Sequence, residues 1–159
     1  MTIYLDTDHA YDLVTRKSIK GILLMLNNTP VSWASKRPKT VETSPYGTEL
    51  VSSRIATESI IDVRFILRSL GVTLDEPTMM LGDNMSELLI TSVPSSVLKK
   101  KHNAIAFHEA REAIAAKILR FAYVKSEESM SDNLTKPLYN GAFHRLLKKT
   151  VFRLPEVDK

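Results

Sequence analysis

Apolar and polar residues alternate through Ile3-Tyr4-Leu5-Asp6-Thr7-Asp8, the repeat of a half-buried strand, with Tyr4, Asp6 and Asp8 on one face and Ile3, Leu5 and Thr7 on the other. A second apolar run, Ile19 to Leu26, leads into the turn formers Asn27-Asn28-Thr29-Pro30 and a further alternating stretch, Val31-Ser32-Trp33-Ala34-Ser35. Short links of this kind join antiparallel neighbours, so the pattern predicts a three-stranded meander in which the carboxylate-bearing strand is placed to become central.

Ser44-Pro45 has the form of a helix N-cap followed by proline at the first helical position, and Gly71 is a natural stop. Between them the spacing predicts a helix of about seven turns with Leu50, Ile60, Val63, Leu67 and Leu70 as its buried stripe. Thr78 to Leu81 reads as a short strand, broken by Gly82-Asp83-Asn84 before a helix that starts near Ser86. Residues 103–118 read as helix, Leu119 to Val124 as a fifth strand, and Asp132 as a helix start. Asn140 caps a last amphipathic helix that buries Phe143, Leu146 and Leu147. Helices placed between the later strands imply parallel crossovers after the meander, so the fold class is α/β with a mixed sheet.

The length of 159 residues fits a single domain, 1–159, with a sizeable core. The absence of cysteine excludes disulfides and thiolate metal sites, so a metal would have to sit on oxygen or histidine. The longest unbroken apolar run, Ile22 to Leu26, is far below the roughly 20 residues a membrane span needs, which argues against a membrane partner. A net charge of +4 and a pI near 9.3 lean towards a polyanionic partner.

Several chemistries fail on spacing. His108-Glu109 begins like a zinc-protease helix, but the position four after His108 is Glu112. His102 and His108 are six apart and do not share a helical face. No glycine-rich phosphate loop and no nucleophile–base pair is present. What remains is a set of four acids in telling contexts: Asp6 on the first strand, Glu49 near a helix start, Asp83 at a strand end and Asp132 in Ser-Asp-Asn-Leu-Thr-Lys-Pro. Such a set can hold a divalent metal. Glu49 is equally a favourable charge at a helix N-terminus, and Asp83 an N-cap.

With these acids in place, the chain resembles the RNase H domain that follows the reverse transcriptase in copia-type LTR retrotransposon Pol polyproteins. The resemblance rests on Leu5-Asp6-Thr7-Asp8-His9-Ala10 with Thr15-Arg16-Lys17-Ser18, on Val31-Ser32-Trp33-Ala34-Ser35-Lys36, and on Tyr46-Gly47-Thr48-Glu49-Leu50. It continues through Gly82-Asp83-Asn84-Met85-Ser86, Lys101-His102-Asn103-Ala104 and Asp132-Asn133-Leu134-Thr135-Lys136-Pro137-Leu138. The ordered set covers nearly the whole chain, which looks like a segment of a longer polyprotein.

The resemblance implies an RNase H-like fold: a five-stranded mixed sheet, three antiparallel strands then two parallel, flanked by helices. It implies that Asp6, Glu49, Asp83 and Asp132 are catalytic and hold two Mg²⁺ ions, with Mn²⁺ able to substitute. Two such ions would stabilise the attacking and leaving oxygens as water cleaves the RNA strand of an RNA–DNA hybrid. The implied partners are that hybrid and a reverse transcriptase domain in the same polyprotein, and the implied location is a cytoplasmic virus-like particle, with the nucleus as the alternative. Oligomeric state is left open. Arg16, Lys17, Lys36, Arg37, Lys39, Asn84, Lys99, Lys100 and Lys101 are the candidate contacts to nucleic acid, each also readable as a solvated side chain. The alternative function is a catalytically weak or silent module that holds the hybrid beside a polymerase. Departures from the family pattern fall at Gly47, where many members carry an acid, at His9, where they carry tryptophan, and at Ala104 and Ala106, where they carry Asp and Arg. No histidine lies between Ser126 and Met130.

Overall fold

The computed structural model describes residues 1–9, 14, 17–37, 45–83 and 104–151. Its strands are β1 (Thr2–Asp8), β2 (Ile19–Leu26), β3 (Thr29–Lys36), β4 (Thr78–Gly82) and β5 (Leu119–Tyr123). They form one sheet in the order β3-β2-β1-β4-β5. β1 pairs antiparallel with β2 and β2 with β3, whereas β4 runs parallel to both β1 and β5. The carboxylate-bearing strand is therefore central, in the five-stranded mixed sheet expected from the pattern.

Helices α1 (Pro45–Ser69) and α2 (Ala104–Ala115) accompany the sheet, and α3 (Asn140–Thr150) ends the described chain. The pleat of β1 sorts the molecule into two sides. Ile3 and Leu5 join Ile22, Leu24, Met80, Leu119 and Phe121 from the sheet, Ala56 and Ile60 from α1 and Ala113 from α2 in the main core. The opposite face carries a smaller cluster of Leu23, Met25 and Met130, with Tyr4 and Leu134 packed against it. Tyr4 and Leu23 are register partners across β1 and β2, so the second cluster belongs to the face that also bears Asp6.

α1 lies close to the sheet because its buried stripe is mostly small. Thr48, Ser52, Ser53, Ala56 and Thr57 are fully buried beside Leu50 and Ile60. The hydroxyls of Ser52 and Thr57 donate to the carbonyls one turn back, at Thr48 and Ser53, so burying them leaves no unsatisfied donor. The expected stripe holds for Leu50 and Ile60 but not for Leu70, which is 73% exposed. The sheet ends before the last turns of so long a helix, and Phe65, Ile66 and Leu70 face solvent. In α3, Leu146 and Ala142 are buried, but Phe143 is exposed. Asp132 lies not at an α-helix start but in a short 3₁₀ turn, Met130–Leu134. The helix expected near Ser86 lies outside the described residues.

Arg64 organises the connection from α1 to β4. Its guanidinium donates to the carbonyls of Leu74 and Glu76 at 2.7 and 3.0 Å and to the Thr78 hydroxyl at 3.2 Å. Arg64→Ala should cost about 2 kcal/mol, the scale of lost charge-assisted hydrogen bonds, measured by urea denaturation. An unchanged midpoint would show that the connection holds its path without the arginine.

Candidate functional site

The site is built on one row of residues across three strands. Register pairs Asp6 of β1 with Gly21 of β2, and Gly21 with Ser35 of β3. The 3₁₀ turn Met130–Leu134 and the two residues after it lie along this row. Ser35 donates to the Leu134 carbonyl at 2.7 Å. Gly21 supplies the clearance: a Cβ there would stand 2.7 Å from Thr135 Cγ2 and 2.8 Å from the Ser131 carbonyl oxygen. The missing side chain lets the turn descend onto the sheet, and the descent carries Asp132, Thr135 and Lys136 to Asp6.

At the contact, the Thr135 hydroxyl donates a hydrogen bond to Asp6 Oδ2. Lys136 Nζ lies 3.0 Å from Asp132 Oδ2 and 3.5 Å from Asp6 Oδ2, so one ammonium bridges two carboxylates. Asp6 is 3% exposed and Asp132 6%. Burial raises the pKa of Asp6 above the usual carboxylate range, and the Asp83 charge adds to this, against the pull of Thr135 and Lys136. Burial and the neighbouring Asp6 push Asp132 up to about 6 despite the Lys136 contact. For Lys136 itself burial disfavours the charge, but Asp6, Asp132 and Asp83 outweigh it and its pKa is raised. Asp132 Oδ1 is buried with no hydrogen-bond partner.

Of the other two candidate acids, Asp83 is near enough for its charge to be felt at the bridge, and Glu49 is buried on α1. Asp83 directly follows Gly82, the last residue of β4, and its Oδ2 accepts a 2.6 Å hydrogen bond from Ser126 in the segment after β5, while its charge is felt at Asp6, Asp132 and Lys136. Glu49 is buried on α1, the helix that packs against the Ile3, Leu5 and Thr7 face. The Thr7–Ser52 hydroxyl pair at 2.8 Å and the His9–Thr48 contact at 3.0 Å tie that helix to the end of β1. Asp6, one pleat away from Thr7, points to the other face. Of the candidate nucleic-acid contacts, Lys36 and Arg37 are exposed at the end of β3 and Lys17 is half-buried. Arg16, Lys39, Asn84, Lys99, Lys100 and Lys101 lie outside the described residues.

No protein-family model matches the chain. Among curated proteins it is similar to the Retrovirus-related Pol polyprotein from transposon RE1 of Arabidopsis thaliana, 31% identical over 153 residues. The corresponding RE2 protein of the same plant is 29% identical over 153 residues, and that of transposon TNT 1-94 from Nicotiana tabacum 26% over 140. The first two matches take in 96% of this chain but 10% of each relative, so the chain spans about a tenth of the curated relatives' length. Among solved structures, the fold matches the LC11 RNase H1 in complex with an RNA/DNA hybrid with a TM-score of 0.64 at 15% identity, covering 92% of this chain and 98% of that one. RNase H1 from Halobacterium salinarum matches at 0.61 and 14% identity, over 91% and 97% of the two chains. The chain is homologous over nearly its whole length to retrotransposon-type Pol polyproteins and has an RNase H-like fold.

The RNase H-like domain nevertheless departs from the metal chemistry that the resemblance implies. Among the described residues no group of three or more His, Asp or Glu side chains is arranged to hold a metal ion. The expectation of two Mg²⁺ ions, or of Mn²⁺ in their place, on Asp6, Glu49, Asp83 and Asp132 is therefore corrected. With it fall the magnesium-dependent endonuclease and the ribonuclease H activity assigned on that basis. The physical reason lies in the layout. Asp6 and Asp132 meet, but Lys136 already supplies the positive charge between them, and Asp83 is engaged by Ser126. These residues do not fit the pair of ions.

Sequence reasoning missed Gly21, Thr135 and Lys136. Lys136 had a readable signal, since it lies four residues after Asp132 with opposite charge. The role of Gly21 depends on what crosses above it, and no local pattern carries that. Lys20, only 2% exposed within β2, was also unforeseen.

Proposed function

We propose that this domain is a hybrid-holding module, catalytically weak or silent, attached to the reverse transcriptase domain of a Pol protein. The observation that carries this reading is the closed site: two buried acids bridged by Lys136, with no third ligand grouped with them among the described residues. Support for the substrate comes from the fold, since the LC11 RNase H1 with which it shares that fold was solved with an RNA/DNA hybrid. The link to a reverse transcriptase domain is supported by the relatedness to Pol polyproteins.

The binding surface is proposed along β3. Trp33 is 66% exposed and pairs with Leu23, which places it on the same side of the sheet as the bridged acids. An exposed indole offers a flat apolar face against sugars or bases, and Lys36 and Arg37 follow it as phosphate contacts. Fluorescence anisotropy with labelled hybrid, double-stranded RNA and double-stranded DNA, run beside a cleavage gel with Mg²⁺, tests the reading. Expected are preferential, salt-sensitive retention of the hybrid and little cleavage. Removing both Lys36 and Arg37 should flatten the slope of log affinity against log salt by about 2. Rapid Mg²⁺-dependent cutting, or equal binding of all three duplexes, would reject it.

A further inference from the structure

We propose that Lys136 is a tethered counter-cation that keeps divalent metal out of the Asp6–Asp132 pair. The inference deepens the reading above and rests on it only for the closed site. Asp6 and Asp132 are nearly fully buried, their Oδ2 atoms share one ammonium, and Asp132 Oδ1 has no partner. Two carboxylates and one ammonium leave a net negative charge in a place water hardly reaches, which is what draws a small cation. Nζ takes the position between the two Oδ2 atoms, and because it belongs to the chain its local concentration does not fall when free cations are scarce. The Lys136 side chain is 32% exposed, so its stem leads out to solvent, and removing it opens a path to the acids instead of sealing a void.

The arrangement also explains why the cation is a lysine that follows Asp132 closely in sequence. The segment that brings the second acid to the sheet brings the compensating charge with it, so neither arrives without the other. Thr135, between them, anchors the segment to Asp6 by its hydroxyl.

Mn²⁺ titration followed by electron paramagnetic resonance tests this without nucleic acid, so failure to bind hybrid leaves the outcome readable. The wild-type domain should leave the signal of free Mn²⁺ nearly unchanged at millimolar metal. Lys136→Met should take up Mn²⁺ at least tenfold more tightly, and its thermal midpoint should rise with added Mg²⁺, while the wild-type midpoint does not move. Lys136→Arg, which keeps the charge, should behave as wild type and guards against a methionine variant that fails to fold. Adding Asp132→Asn to Lys136→Met should abolish the gained binding. If wild type binds Mn²⁺ as tightly as the methionine variant, the ammonium excludes nothing. If the folded methionine variant also binds none, the acids lack the affinity the proposal assigns to them. If the methionine variant does not fold, Mn²⁺ uptake by the folded arginine variant overturns the proposal and its exclusion supports it.

Discussion

Gly21→Ala should destabilise the domain by about 2–3 kcal/mol, the cost of overpacking a site that cannot yield freely. The added methyl would stand 2.7 Å from Thr135 Cγ2, 2.8 Å from the Ser131 carbonyl oxygen and 3.0 Å from Leu134 Cβ. One of these is backbone, so relief requires the whole 3₁₀ turn to lift. Lifting it separates Asp132 and Lys136 from Asp6, and the loss should appear in hydrogen exchange as faster exchange at residues 131–136 than in wild type. Gly71 provides a contrast. It has a positive φ of 78°, and a methyl added there would meet nothing within 4 Å, so Gly71→Ala carries a backbone cost of about 1 kcal/mol and leaves the site intact. Wild-type stability and exchange in Gly21→Ala would mean that the turn does not rest on the sheet as described.

Stability should fall as pH rises from about 4 to about 6, and Asp132 should be the main cause. Its pKa is raised from the ordinary 3.8 to about 6 by burial and by the Asp6 charge. The folded state therefore binds a proton more tightly than the unfolded chain, and the stabilisation is fully present below the ordinary value and lost by the time pH exceeds the folded one. Asp6 is shifted in the same direction. At about 1.4 kcal/mol per pH unit, the Asp132 contribution spans up to about 3 kcal/mol. Asp132→Asn mimics the protonated acid and should flatten the difference. Urea midpoints of wild type and variant at pH 4, 5, 6 and 7 check this. Parallel curves would show that Asp132 titrates as an ordinary carboxylate.

The sheet was legible because its evidence is local. The alternation of residues 3–8, the turn at Asn27-Asn28 and the helical intervals between later strands each depend on a few neighbours, and together they gave the strand pairing correctly. The burial of α1 was less legible. The expected stripe ran on to Leu70, which is exposed, whereas much of the actual buried side is Thr48, Ser52, Ser53, Ala56 and Thr57, whose small size matters more than their polarity. The site was legible as a set of acids but not as an arrangement. Asp6 and Asp132 do meet through Lys136, while Asp83, whose charge reaches them, is engaged by Ser126 from the loop after β5. Whether a cation joins two acids depends on which side chain arrives with them, and Lys136 arrives with Asp132.

The hydroxyl bond between Thr135 and Asp6 joins residues 129 positions apart. During synthesis β1, β2 and β3 leave the ribosome first and can pair through their short connections. The Asp6 carboxylate then stays hydrated until residues 130–136 have been made. Until that moment the face bearing Tyr4, Leu23 and Met25 has no cover from Met130 and Leu134. A contact this distant in sequence is slow to form, and a nascent chain waiting for it exposes an apolar sheet face to its neighbours. A chain terminated before Thr135 would be expected to aggregate more readily than one that includes the closing turn.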